Sequence, residues 1–196
     1  MSQSLAKIMD TDFTAIRPRV ALSTDAATVL TDVTKVPDAL QRLEAGGFLV
    51  EAARLVAHAL PKREAVWWAC MCATHTAPAD LSANDRIARE LAEEWVRQQT
   101  DKGRRDAMAK AEAVDFATPE AWAAVAAFWS GDSMAPAGQA AVLPAAHLCG
   151  TAVAGSVVLA AVRGDPTRQP ARLKRFLESG RNIAAGGPGR MPPDEP

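Results

Sequence analysis

Net charge is the first thing this chain lacks. Its 22 lysines and arginines meet 23 aspartates and glutamates, leaving −1, so no global field recruits nucleic acid or an anionic membrane. Cysteine is scarce, with only Cys70, Cys72 and Cys149. The first two stand two apart in an apolar run, where a helix points their thiols to different sides and disfavours a bridge. A reduced, cytoplasmic protein is the expectation. No P-loop and no G-x-G-x-x-G occurs, which leaves nucleotide chemistry without a foothold. G-x-S-x-G and H-E-x-x-H are missing too. The opening MSQSLAKIMDTDF has no long apolar core after its positive charge, which argues against a secretory signal.

What is present is apolar helix. The apolar fraction, 48%, is ample for one core in a chain of this length. Pro61–Thr76, PKREAVWWACMCATHT, carries an unbroken apolar run from Ala65 to Ala73. At about 100° per residue such a run leaves no polar face, so the helix belongs inside a bundle. Pro61 suits a first helical position, where a missing N–H costs no hydrogen bond.

Around this element the chain falls into segments. Residues 1–36 read as an extended or partly ordered lead, with a short helix at Asp25–Asp32. Pro37–Ala45 makes a helix that Gly46-Gly47 stops, and Phe48–Leu60 follows with a single apolar stripe. Ser82 with Asp85 resembles a capping box and starts a helix to about Gln99. Asp101–Asp115 is charged, with Ala107, Met108, Ala111 and Val114 as its apolar side; together these two helices read as a solvated hairpin. Thr118-Pro119-Glu120 combines an N-cap hydroxyl, a proline and a carboxylate at the positive helix end. Trp122, Val125, Ala126 and Trp129 then form one stripe. Pro144 is expected to open a second apolar helix to about Val162, and Pro170–Gly180 a last amphipathic one. The fold expected is all-α: a single-domain orthogonal bundle of about seven helices, with disordered or extended termini. The helical domain covers 37–182, and 183–196 has the composition of a disordered tail. The helices 61–76 and 143–162 should be the most buried.

Candidate sites are few. Cys70, Cys72 and His75 lack the C-x₂₋₄-C spacing of a zinc pair, so no metal and no cofactor is assigned. Cys149 beside His147 faces a different way on a helix, which gives no catalytic residue. Val142–Val162 is uncharged and long enough to span a bilayer, but its small residues fit a buried helix better. Arg168, Arg172 and Arg175 share a face of the last helix, which offers a membrane or acidic-partner reading. The stretch Ser130–Leu143, SGDSMAPAGQAAVL, is long for a loop and poor in the polar residues that solvate one. With Trp122 and Trp129 before it, and with Asp132, Met134 and Pro136 in it, it is the candidate partner-binding surface.

Two stretches carry a resemblance. LPKREAVWWAC at 60–70, and FWSGDSMAP at 128–136 running on to LPAAHLCGTAVAGSVVLAA at 143–161, resemble a family of uncharacterised bacterial proteins classed as a domain of unknown function. The resemblance covers roughly 37–180 and transfers no catalytic residue. It implies a cytoplasmic accessory protein associated with bacterial secretion gene neighbourhoods, type VI systems among them. The expected function is a non-enzymatic binding or adaptor protein whose partner is a secretion-machinery component or effector. Two alternatives stand beside it. One is an enzyme whose pocket is lined by Glu64, His75 or His147 with strongly shifted pKa values. The other is a peripheral membrane protein using the basic last helix.

Overall fold

Hydroxyls and carboxylates start half of the helices. In the computed structural model, which describes residues 5–8, 11–136 and 138–194, Asp12 caps α1 (Phe13–Ile16) and Ser23 caps α2 (Thr24–Val29). After α3 (Val36–Ala45), α4 (Leu49–Ala59) and α5 (Lys62–His75), Ser82 caps α6 (Ala83–Gln98). Thr100 caps α7 (Asp101–Glu112), and Thr118 caps α8 (Pro119–Trp129). The chain closes with α9 (Leu148–Val162) and α10 (Gln169–Ala184). The described residues are thus all-α in one helical domain, with ten α-helices and one isolated antiparallel bridge, Asp12 to Lys35. Nine of the ten, α2 to α10, answer to helices read from the sequence, within four residues at each end, and only α1 was not read.

Local chemistry explains most boundaries. Gly47, at φ +77°, ends α3 where a side chain would be strained. Ser82 and Asp85 form the expected box, with Asp85 N–H on Ser82 Oγ at 3.1 Å and Ser82 Oγ on Asp85 Oδ2 at 2.6 Å. Thr118 Oγ1 donates to the other oxygen of Asp85 at 2.8 Å, so the N-termini of α6 and α8 are tied together.

Pro144 does not open α9, which begins only at Leu148. Val142 O is already committed to Met134 N–H at 2.7 Å, which holds the chain out of helix before a turn at Ala145–Leu148. The central layer is α5, α8 and α9, with α4, α6, α7 and α10 around it. Nine of the 11 residues of α8 are buried, against nine of 14 in α5 and nine of 15 in α9, so α8 joins the expected pair at the centre. Its alanines, and Gly150, Ala152, Ala154 and Gly155 on α9, permit close helix approach.

Two terminal segments differ from what their composition suggests. Ile8, Phe13, Ile16, Val20, Leu30 and Val33 of the lead are buried in the common core. Their spacing has no helical period because each is placed by tertiary contact. Residues 188–194 are seated on α5 and α10 through main-chain hydrogen bonds, which no hydropathy pattern signals.

The adjacent tryptophans have unequal roles. Trp68 is fully buried and donates to Phe176 O at 2.9 Å, while Trp67 is half-buried and donates to Pro188 O at 2.7 Å. Gly180 makes room for Trp68, since a Cβ there would stand 3.3 Å from its ring. Trp68→Ala should therefore cost about 3–5 kcal/mol in urea unfolding. Trp67→Ala should cost clearly less, because water already reaches its ring.

Candidate functional site

A loop projects from the most buried helix of the protein, so its first requirement is a fixed root. Two cations serve the C-terminal, negative end of α8. Arg104, buried on α7, donates to Phe128 O at 3.3 Å, pairs with Asp101, and lies 5.2 Å from the centroid of the Phe128 ring. Lys62 Nζ reaches Ser130 O at 3.5 Å. Ser130 Oγ turns back to Ala126 O at 2.7 Å and stands 3.2 Å from Cys149 Sγ. Gly131 is required here, because a Cβ would sit 2.3 Å from the Arg104 side chain.

Beyond this root the chain closes on itself. Ser133 Oγ accepts from Ala135 N–H and Val142 N–H, both at 3.1 Å, and Met134 N–H donates to Val142 O. Gln139 N–H makes a turn with Pro136 O at 3.2 Å. A compact loop with a tied neck results, the form of many binding loops. Ala135 is buried beneath it.

The structure brings some of the sequence-predicted residues together and leaves one apart. Trp129 ends α8 directly before the loop and is half-buried, as is Met134. Asp132 and Pro136 are exposed. Trp122 lies two turns earlier, about 10 Å along the axis, and packs its ring near Gly155 of α9. Val142 and Leu143 lie in the stretch read from the sequence but were not singled out there, and Leu143 was expected to begin a buried helix; they are 52% and 71% exposed. The signal was two large aliphatics outside any helical stripe, just before a proline.

Elsewhere, reactive groups are muted. Burial pushes the Cys70 and Cys72 thiols up, Cys70 helped by the Glu93 charge and Cys72 by Cys70. Burial raises Cys149 as well, against a smaller opposing effect of its Ser130 hydrogen bond. No three His, Cys, Asp or Glu side chains converge as metal ligands among the described residues. Glu64 lines a cleft of about 360 Å³ with Lys7, Arg63, Trp67, Arg97 and Arg190. Burial opposes its charge, but the Lys7 ammonium, hydrogen-bonded at 2.7 Å, a backbone hydrogen bond and the Arg63 charge together outweigh that and lower its pKa. His147 is exposed at the start of α9. Arg172, offered by sequence as part of a free basic face, is instead buried and bonded to Ala161 O, Arg163 O and Asp194. No single helix among the described residues is long and apolar enough to cross a membrane.

A family model matches residues 39–184. The chain belongs to the family of unknown function DUF6931. That span contains the helical body, the loop and its root, while the lead and residues 188–194 lie outside it. Comparison with curated proteins and with solved structures gives no match.

Two measurements probe this region. Ser133→Ala should speed amide exchange at Ala135 and Val142 while changing global stability by no more than about 0.5 kcal/mol. The second concerns His58, against whose ring Gly150 packs: a Cβ on Gly150 would lie 2.2 Å from Nδ1. Burial, then Arg19 and His147, pushes His58 down to about 4 from 6.5. The unfolded chain therefore binds a proton that the folded chain refuses, and stability should fall as pH drops from 6.5 toward 4. His58→Gln should flatten that slope, read as urea midpoints across the window.

Proposed function

We propose that this chain is a non-enzymatic adaptor that captures a protein partner through the loop following α8. The observation that carries this is the exposure of Val142 and Leu143 on a loop whose neck is hydrogen-bonded shut. Large aliphatics held in water by a fixed backbone are an apolar surface without a covering. Rigid presentation also lowers the entropy cost of docking. Met134, tied to Val142 through the backbone, adds adaptable apolar surface beside that pair, and Trp129, Asp132 and Pro136 precede the pair on the same loop and its root. In its most concrete form, the partner is a component or effector of a bacterial secretion system, type VI among them, met in the cytoplasm. The motifs at 60–70 and 128–161 support that form by resemblance.

The test is a tagged pull-down from the native bacterium with mass spectrometry, comparing the natural chain with Leu143→Asp and Met134→Asp. One abundant partner should be retained by the natural chain and lost by Leu143→Asp, a loss of at least about 2 kcal/mol for a central apolar anchor. Met134→Asp should weaken capture less, because Met134 is half-buried. A partner held equally by all three chains would overturn the proposal.

A further inference from the structure

Residues 188–194 run along α5 from Trp67 toward His75, and they are held mainly through their backbone. Trp67 Nε1 donates to Pro188 O at 2.7 Å, and Ser179 Oγ to Gly189 O at 2.5 Å. Gly189 N–H donates to Asn182 Oδ1 at 2.8 Å. Farther along, His75 Nδ1 meets Pro192 O, and Asp194 N–H donates to His75 O at 2.7 Å. One acidic side chain is also read. The Asp194 carboxylate accepts from Arg168 Nη2 at 3.0 Å and Arg172 Nε at 2.8 Å. Main-chain contacts along a strap, ending in a carboxylate between two guanidiniums, are how a groove recognises a non-helical acidic peptide.

The strap fits this groove incompletely. His75 Nε2 is buried with no hydrogen-bond partner among the described residues, and Asp194 Oδ1 is 3.5 Å from it. A cavity of about 110 Å³ remains beside the carboxylate, lined also by Arg175. A second, of about 400 Å³, follows the strap past Asn182 and Arg190. Pro188, Arg190, Pro192 and Pro193 are exposed, and Met191, partly buried against the core, is the one large apolar side chain that the segment packs down. Segments of this kind open at low free energy. His75, Arg168, Arg172, Ser179 and Asn182 lie within the family span, whereas the strap lies beyond its end at residue 184.

From these observations we infer that the face of α5 and α10 is a peptide-binding groove. Residues 188–194 are its intramolecular occupant, and a non-helical segment of a partner protein bearing a single aspartate displaces them, its carboxylate replacing Asp194 against Arg168 and Arg172. The strap is an autoinhibitory latch. This surface is separate from the loop after α8 and does not depend on the role proposed for that loop.

The experiment titrates the full chain with a synthetic peptide copying residues 186–194, both ends blocked, read by calorimetry and by amide exchange of residues 188–194. An internal occupant reduces apparent affinity by the fraction of time the groove is open, so Asp194→Asn should bind the peptide about tenfold more tightly than the natural chain. Adding Arg168→Ala should remove that gain. Gly189→Ala is an independent way to unseat the strap, since its Cβ would lie 2.4 Å from Ile183, and it should also tighten binding. Peptide binding to the natural chain should raise exchange at 188–194. A peptide with Asn for its Asp should bind about tenfold more weakly. The inference is overturned if neither variant binds better than the natural chain, or if the Asn peptide binds as well as the Asp peptide. It is equally overturned if the strap's exchange is unmoved by bound peptide, or if sodium acetate at the same concentration releases the strap as fully.

Discussion

One ion pair holds the centre of this fold. Glu120 is 0% exposed, and its two oxygens face the guanidinium of Arg163, with Nη1 to Oε1 at 3.0 Å. A buried carboxylate costs several kcal/mol unless it is paired and hydrogen-bonded, so the position of α8 depends on the end of α9 where Arg163 emerges. The same guanidinium reaches Ala73 O and Thr76 O, both at 3.4 Å, at the end of α5. Glu120 sits in the first turn of α8, where the helix dipole favours an anion, and Arg163 meets carbonyls at the opposite pole of α5. Three helix ends thus share one charge pair. Arg172 continues the arrangement, accepted by Ala161 O and Arg163 O, and connects it to Asp194 and the strap.

With its start fixed in this way, α8 is packed through alanine against α9 and closed at its far end by Arg104. That closure gives the loop its character. Residues 130–136 and 138–147 leave a fixed helix end and return into another buried helix, with a neck tied at Ser133 and Val142. An apolar surface on such a mount presents one shape to a partner. The strap on α5 and α10 differs in kind, since polar contacts and the single apolar anchor Met191 hold it and cavities flank it. The pinned loop is the surface proposed for recognition, and the strap is the element inferred to regulate access to its groove.

What could be read from residues alone was mostly what short-range physics controls. The apolar run from Ala65 to Ala73 showed that α5 is interior, and Ser82, Thr118-Pro119 and Gly46-Gly47 marked helix ends, because caps and glycine stops act within a few residues. The loop after Trp129 was visible from its length and its poverty in polar groups. The partition between Trp67 and Trp68 was not visible, since both are apolar neighbours and only the approach of α10 at Gly180 decides which one is enclosed. Arg104 and Arg172 read as surface cations, yet both are buried, because the Phe128 carbonyl that accepts from Arg104 and the Asp194 carboxylate that accepts from Arg172 come from elements distant in the chain.

The sequence by itself determined the all-α class, the helices from α2 to α10 and the near-neutral overall charge, all properties of composition and local periodicity. Tertiary structure alone decided that Ile8, Phe13 and Leu30 of the lead enter the core, that α9 waits until Leu148, and that residues 188–194 lie in a groove. The lead and residues 188–194 are placed by contacts between residues far apart in the chain, and the start of α9 by the loop's own neck, across eight or nine residues. Leu143 is exposed for the same reason, since the neck at Ser133 holds it away from the core that its side chain would otherwise enter.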